Sequence, residues 1–159
     1  MEARGEALAK QFEAKAREAA SVLETLSDAE WKMVTEAEKW PVGVTAHHLA
    51  GSYERVPDIA MGLVAGQSFG NFTRKMLDER NAQHAKDFAG CTREETLALH
   101  RKGAAKAAAV IRGLSDGQLA KSGTLFIDAP PMTVEQLIMA ALIQHTDEHY
   151  GSIRKTIGK

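Results

Sequence analysis

The segment Val134–Ile153 reads VEQLIMAALIQHTDEHYGSI, and its apolar residues recur at steps of three and four. This spacing places them on one face of an α-helix, which has 3.6 residues in each turn. Two histidines stand four residues apart on the same face, so both imidazoles can point at a single atom. The resulting stripe consists of Val134, Ile138, Leu142, His145, His149 and Ile153. The segment therefore predicts a helix that presents two histidines to the protein core.

The two buried histidines need partners. An unsatisfied buried polar group costs roughly 1 to 3 kcal/mol, and coordination of a divalent metal would remove that cost. The alternative is a pair of core histidines that form hydrogen bonds with side chains or water. The spacing leaves both interpretations open, because the zincin motif carries Glu directly after its first histidine and this chain has Thr146 there.

A metal such as zinc, nickel or iron needs at least a third protein ligand, and four further histidines are available. His47 and His48 are adjacent, so only one of them can face fully inward, and periodicity does not decide which. His100 lies on the apolar face of a predicted third long helix, where it is a fourth ligand, a substrate contact or, as we favour, a structural histidine. His84 lies in a connection and is more typical of a surface or packing histidine.

The chain also carries two longer motifs. Trp40-Pro41 is followed after six residues by His48-Leu49-Ala50-Gly51, and the C-terminal motif is His145-x3-His149-Tyr150-Gly151. With these motifs the chain resembles the DinB/YfiT-like superfamily of small helical metalloenzymes, which includes the N-terminal domain of mycothiol-dependent maleylpyruvate isomerase. The resemblance implies an all-α four-helix bundle that holds a divalent metal, zinc or nickel before iron. It also implies the ligands His48, His145 and His149, and it makes a homodimer plausible.

Helix boundaries follow from local signals. The first helix is expected from about Ala3 to Leu26, and the third long helix is expected to end near Gly113. A Ser or Thr followed three residues later by Glu or Gln forms a capping box, which marks a helix start. Three such pairs are Ser27 with Glu30, Thr92 with Glu95, and Thr133 with Gln136. The last of these predicts a helix that continues from Thr133 to about Ile157.

The three implied ligands constrain the topology. His48 lies near the start of its helix, whereas His145 and His149 lie past the middle of theirs, so the two helices should run antiparallel. The long connection from Gly66 to Cys91 allows the chain to cross back before the third long helix. The expected order is therefore up-down-down-up, with a long crossover between the second and third long helices, as in the resembling family.

Composition limits the class of protein. The 159 residues are 44% hydrophobic, which suits one compact domain over residues 1–159. A formal net charge of -1 and the absence of a dense Lys/Arg block argue against nucleic acid as a partner. The sequence has neither an apolar run of about 18 residues nor an apolar region near its start that would resemble a signal peptide, so we expect no membrane partner. The single cysteine, Cys91, suits a reducing compartment, and we expect a cytoplasmic protein.

Three functions follow from such a site. A three-histidine site leaves a coordination position open for water, a thiol or a substrate oxygen. The first expectation, implied by the resemblance, is an S-transferase or isomerase that uses a low-molecular-weight thiol. The second is a metal-dependent hydrolase of a small ester, amide or lactone, which needs only water. The third is a metal-stabilised bundle that binds a small molecule without catalysis. Asp147 and Glu148 are candidates for orienting a ligand histidine, although both project away from the stripe.

Overall fold

The computed structural model describes residues 2–159, and most of them are helical. The prediction of an all-α fold is confirmed for this part of the chain, which adds only two short paired strands. In chain order the elements are α1 (Arg4–Thr25), α2 (Asp28–Lys32), α3 (Val42–Val64), α4 (Arg74–Asp87), α5 (Arg93–Arg112), α6 (Asp116–Leu119), β1 (Ser122–Gly123), β2 (Met132–Thr133), α7 (Val134–Ile138), a π-helical segment (Met139–Gln144) and α8 (His145–Ile157).

The predicted capping boxes are present. At the starts of α2, α5 and α7 the cap hydroxyl accepts a hydrogen bond from the backbone N–H three residues later, and the side chain of that later residue accepts one from the cap N–H. Each box satisfies two backbone donors that the first helical turn leaves free. The sequence therefore located these helix starts correctly.

The core lies between α1, α3, α5 and the C-terminal helical region. Phe12 of α1 meets Tyr53 of α3 edge to face, with ring centroids 4.9 Å apart. Full burial of one large apolar side chain contributes about 1.5 to 3 kcal/mol. Other members of this fully buried cluster are Leu8, Leu49, Leu63, Ile111, Ile138, Leu142 and Ile143.

Gly103 allows α5 to lie close to α3. A Cβ atom at this position would lie 2.9 Å from the Cβ of Tyr53 and 3.2 Å from the carbonyl oxygen of Ala50. The first distance is shorter than real Cβ contacts, so any larger residue would push the two helices apart.

Ion pairs connect the long helices. Arg112, the last residue of α5, contacts Glu6 near the start of α1 at 2.6 Å. Lys106 of α5 contacts Asp58 of α3 at 3.0 Å, and Lys15 of α1 contacts Asp147 of α8 at 2.8 Å. These pairs are exposed, so each contributes little to stability. They nevertheless identify which helix segments are neighbours.

The C-terminal helix differs from its prediction. A continuous α-helix from Thr133 to about Ile157 is wrong in its middle, because Met139–Gln144 is π-helical. The hydroxyl of Thr146 donates to the carbonyl of Leu142 at 2.6 Å. Since that bond uses the hydroxyl proton, the Tyr53 hydroxyl donates to Thr146 Oγ1 at 2.7 Å. The contact with Tyr53 joins residues 93 positions apart, and steps of three and four along the chain did not reveal the change of helix type.

Within residues 2–159, no helix is both long enough and apolar enough to cross a membrane.

Candidate metal centre

Three histidines converge between α3 and α8. His48 lies in the second turn of α3, His145 is the first residue of α8, and His149 follows one turn later. The Nε2 atom of His145 lies 3.2 Å from Nε2 of His48 and 2.8 Å from Nε2 of His149. All three predicted ligand residues are thus brought together, with one nitrogen from each within 4.8 Å of the others.

The spacing of these nitrogens suits coordination of one ion. Zinc binds histidine nitrogen at about 2.0 to 2.1 Å, which separates two nitrogens by about 3.3 Å in a tetrahedral site. The corresponding separation in a right-angled, octahedral arrangement is about 3.0 Å. The two short contacts at the site lie close to these values, and the remaining pair, His48 and His149, lies within 4.8 Å, so the three side chains can converge on one divalent metal.

The number of protons available on the three imidazole rings also favours a bound metal ion. His149 donates from Nδ1 to Glu38 Oε1 at 3.0 Å, so its neutral form has a free lone pair at Nε2. His145 Nε2 contacts both other Nε2 atoms, and a single proton there can point at only one of them. At least one of the two contacts therefore lacks a good hydrogen bond between neutral rings. A metal ion would satisfy all three lone pairs at once.

Burial keeps His48 and His145 neutral. His48 is 5% exposed, and burial, followed by the nearby His149 and His145, lowers its pKa to about 2. Burial and then His149 lower the pKa of His145 to about 4. The neutral imidazole is the form that binds a metal, so both residues are ready for coordination throughout the physiological range.

Glu38 contacts the ring nitrogen of His149 that does not face His145. Its Oε1 accepts the hydrogen bond from His149, and its Oε2 accepts one from the Ser152 hydroxyl at 2.7 Å. The side chain of Glu38 is only 8% exposed. Burial by itself raises the pKa of this carboxyl, but hydrogen bonds from Ser152, Thr35 and His149 together lower it below its usual value. A carboxylate that orients a ligand histidine in this way is a common feature of metal sites.

A tight turn before α3 positions Glu38. The backbone N–H of Thr35 donates to the carbonyl of Trp40 at 2.8 Å, which closes the loop. Lys39 has a φ of 62°, the left-handed conformation that reverses the chain directly after Glu38. Trp40 then packs its ring edge to face with His48, with centroids 5.3 Å apart. The same turn therefore supports two of the three histidines.

The sequence did not identify Glu38 as the hydrogen-bond partner of His149. It offered Asp147 and Glu148 for the orienting role, but Asp147 pairs with Lys15 and Glu148 is exposed. Glu38 lies more than a hundred residues from His149, in a loop without periodicity. The only local signal was its place two residues before the Trp40-Pro41 motif, which did not indicate a direction for its side chain.

The remaining histidines lie outside the converging group. His47 points away from it, with Nδ1 2.8 Å from His84 Nε2 and its ring stacked on Phe88 at 4.1 Å. His48 is therefore the member of the adjacent pair that faces His145. His100 is 1% exposed and its Nε2 donates to the carbonyl of Ala16 at 2.8 Å, as expected for a structural histidine.

Comparison with known proteins adds one family. A family model described as the DinB superfamily matches residues 11–153. No curated protein matches the chain. The matched range includes the converging histidines and Glu38, and it confirms the resemblance inferred from the histidine motifs.

Proposed function

The chain belongs to the DinB superfamily, and on that basis we propose that it is a divalent-metal-dependent enzyme with His48, His145 and His149 as ligands. The observation that carries the proposal is the convergence of three Nε2 atoms in a cluster held by Glu38. A purely structural cluster would need hydrogen-bond partners for these nitrogens, and the three rings cannot supply them to one another.

Zinc or nickel is the expected metal, with iron as a further candidate, because imidazole nitrogen suits all three. Three protein ligands leave at least one position for a small molecule. When bound, the metal supplies Lewis acidity that lowers the pKa of a water or a thiol in that position.

The protein's own residues hold and shield the ligands. Glu38 fixes the ring orientation of His149 and makes its Nε2 more basic. Trp40 covers His48. The hydrogen bond between Tyr53 and Thr146 joins α3 to α8 one residue after His145. These contacts keep the three nitrogens together before any metal binds, which reduces the entropy lost on binding.

We further propose that the reaction is an S-transfer or isomerisation that uses a low-molecular-weight thiol. The resemblance to thiol-dependent relatives supports this choice. The chain does not supply a sulfur nucleophile of its own, because Cys91 contacts the carbonyl of Gly43 and burial raises its pKa. A thiol used at the histidines would therefore come from a small molecule. Hydrolysis of a small ester, amide or lactone is the alternative, since it needs the same open position but no thiol.

The proposed architecture is a single four-helix bundle in up-down-down-up order. The end of α5 lies beside the start of α1, because Arg112 contacts Glu6. The start of α5 lies beside the start of α3, because Cys91, just before α5, contacts Gly43. These pairs support antiparallel packing of α1 with α5 and parallel packing of α3 with α5. Homodimerisation and a cytoplasmic location remain predictions.

Elemental analysis of the untagged protein tests the metal site. We expect about one equivalent of metal in the wild type and its loss in H48A, H145A and H149A. H47A is the matched control, because His47 is adjacent to His48 but faces His84. Absence of metal in the wild type after reconstitution, or equal loss in H47A, would contradict the proposal.

Cobalt substitution then tests the reaction class. If the site uses a thiol, addition of a small thiol will change the visible spectrum of the cobalt protein in a saturable way. Turnover of a small ester, amide or lactone without thiol would instead support hydrolysis. If neither occurs and metal removal only lowers the melting temperature, the non-catalytic binding protein is the better description.

A further inference from the structure

Arg55 extends from the same face of α3 as His48. The two residues are seven positions apart, or about two helical turns, so their side chains leave the helix in similar directions. The guanidinium folds back towards the preceding turn, where a Cβ on Gly51 would lie 2.7 Å from its Nη1 atom. Glycine at position 51 therefore leaves the space that this conformation of Arg55 occupies.

The positive charge of Arg55 reaches two of the converging histidines, His48 and His145, and the neighbouring His84. Burial is the main reason that the pKa values of His48, His84 and His145 are lowered, and the charge of Arg55 lowers each of them further. Arg80 of α4 is close enough to Arg55 to lower its pKa as well, after the larger effect of burial. The charges of Arg55 and Arg80 therefore act on one another, and the charge of Arg55 also acts on His48 and His145.

Neither guanidinium has an anionic partner among residues 2–159. Arg4, Arg101 and Arg112 each pair with a glutamate, whereas Arg55 and Arg80 form no ion pair. Arg80 instead lies over the ring of Phe72, 4.8 Å from its centroid. Two cations held close without a carboxylate repel one another, and a bound anion would relieve that repulsion.

Two carboxylates near the histidines form contacts with residues other than Arg55. Glu38 accepts hydrogen bonds from His149 and Ser152. Asp87, whose charge acts on His84, accepts a hydrogen bond from Gln83 at 2.8 Å. Burial and the charge of Arg80 lower the pKa of Arg55, and no carboxylate acts against them. Part of the side chain is nevertheless exposed, so a ligand can reach its positive charge.

We propose that the substrate of the histidine site carries a carboxylate and that Arg55 binds it, with Arg80 adding positive charge. Arginine suits this role because its planar guanidinium can donate two parallel hydrogen bonds to one carboxylate. The inference rests on the proposed function, since the metal site must hold the other end of the same molecule. It assigns Arg55 a role in specificity, as a residue that contacts substrate and does not bind the metal.

Mercapto acids and their amides provide the test. Cobalt-loaded protein is titrated with mercaptoacetate, 3-mercaptopropionate and 4-mercaptobutyrate, each beside the amide of the same length, and the visible spectrum is followed. A charged hydrogen bond contributes enough that we expect the best acid to bind about tenfold to a hundredfold more tightly than its amide. The range of lengths allows the carboxylate to reach Arg55 while sulfur occupies the metal.

Three variants test whether Arg55 causes the preference for the acid over its amide. R55Q should bind acid and amide about equally, R55K should retain part of the preference through its charge, and R17Q should retain all of it. Arg17 is the matched control because it is an arginine of α1 without an ion pair in the described chain. Circular dichroism melts show whether R55Q folds as the wild type does.

The outcomes distinguish the two proposals. Equal binding of acid and amide in the wild type, or a preference that survives in R55Q, would overturn the role of Arg55 and leave the metal site intact. If no thiol of either series changes the cobalt spectrum, the thiol-binding function itself fails, and the inference that rests on it fails too.

Discussion

Replacement of Glu38 by glutamine should weaken metal binding although Glu38 does not bind the metal. The substitution keeps the size of the side chain, and its amide oxygen can still accept a hydrogen bond from Ser152 or His149. It removes the negative charge that faces Nδ1 of His149 at 3.0 Å. The His149 ring then loses the negative charge that makes its Nε2 atom a better electron donor.

The magnitude follows from burial and contact. The side chains of Glu38 and His149 are only 8% and 14% exposed, so water screens their interaction weakly. Loss of a group that orients a ligand histidine typically costs 10- to 100-fold in metal affinity, which corresponds to about 1.4 to 2.8 kcal/mol. We expect E38Q to lie in this range, with the three ligands still present.

Competition with a coloured chelator measures the effect. The matched control is E36Q, because Glu36 belongs to the same turn but is 78% exposed and its carboxylate pairs with Lys155 at 3.3 Å. E36Q should bind metal as the wild type does. Urea unfolding of each metal-free variant separates a change in the site from a general loss of stability.

Equal metal affinity in E38Q and E36Q would refute this reasoning. It would mean that the hydrogen bond to His149 positions the loop and has no effect on the strength of the ligand. A fall in affinity matched by an equal fall in metal-free stability would also count against a specific effect on His149.

Three further predictions concern stability. G103A should destabilise the protein by about 1 to 3 kcal/mol, because its new methyl group would overlap Tyr53. The control G151A, where a Cβ meets no atom within 4 Å, should instead be neutral or stabilising by up to about 1 kcal/mol. If urea unfolding gave the same change in stability for both variants, the predicted clash would be contradicted. Burial lowers the pKa values of His48 and His145 below the value of about 6.5 for an unfolded histidine. The unfolded chain therefore binds more protons than the folded one below this value, and these two residues alone should remove about 2 to 3 kcal/mol of stability from the metal-free protein between pH 7.5 and 5.5. The lowered pKa values of His47, His84 and His100 act in the same direction, so a constant free energy of unfolding over this range would be the contrary result. Zinc at 100 times its dissociation constant should add about 2.7 kcal/mol to the stability of the wild type at pH 7.5, with a rise in Tm that H145A does not show.

Much of the helical framework could be predicted because its causes are local. The capping boxes at Ser27, Thr92 and Thr133 depend on residues three positions apart, and all three are present. The first helix was expected from about Ala3 to Leu26 and extends over Arg4–Thr25. The change to π-helix within Met139–Gln144 could not be predicted, because the apolar stripe keeps the steps of three and four of an ordinary α-helix and gives no sign of a segment with i→i+5 hydrogen bonds.

The site was predictable only in part. The spacing of His145 and His149 indicated a shared target, and the resemblance to a family supplied His48. Periodicity did not decide whether His47 or His48 faces the other two histidines, since both lie on the same turn. The structure distinguishes them, because His47 contacts His84 instead. Arg55 carried no signal in the sequence that separates it from any exposed arginine of a helix.

The sequence by itself determined what depends on neighbours along the chain: helix starts, the apolar faces, and the two histidines one turn apart in α8. Tertiary structure alone decided what depends on distant segments meeting. It brought the carboxylate of Glu38 to the Nδ1 atom of His149, 111 positions later in the chain. It also placed the Nε2 atom of His48 3.2 Å from that of His145, which is 97 positions away. Local spacing fixes the direction of a side chain from its own helix, but only the packing of helices determines what that side chain contacts.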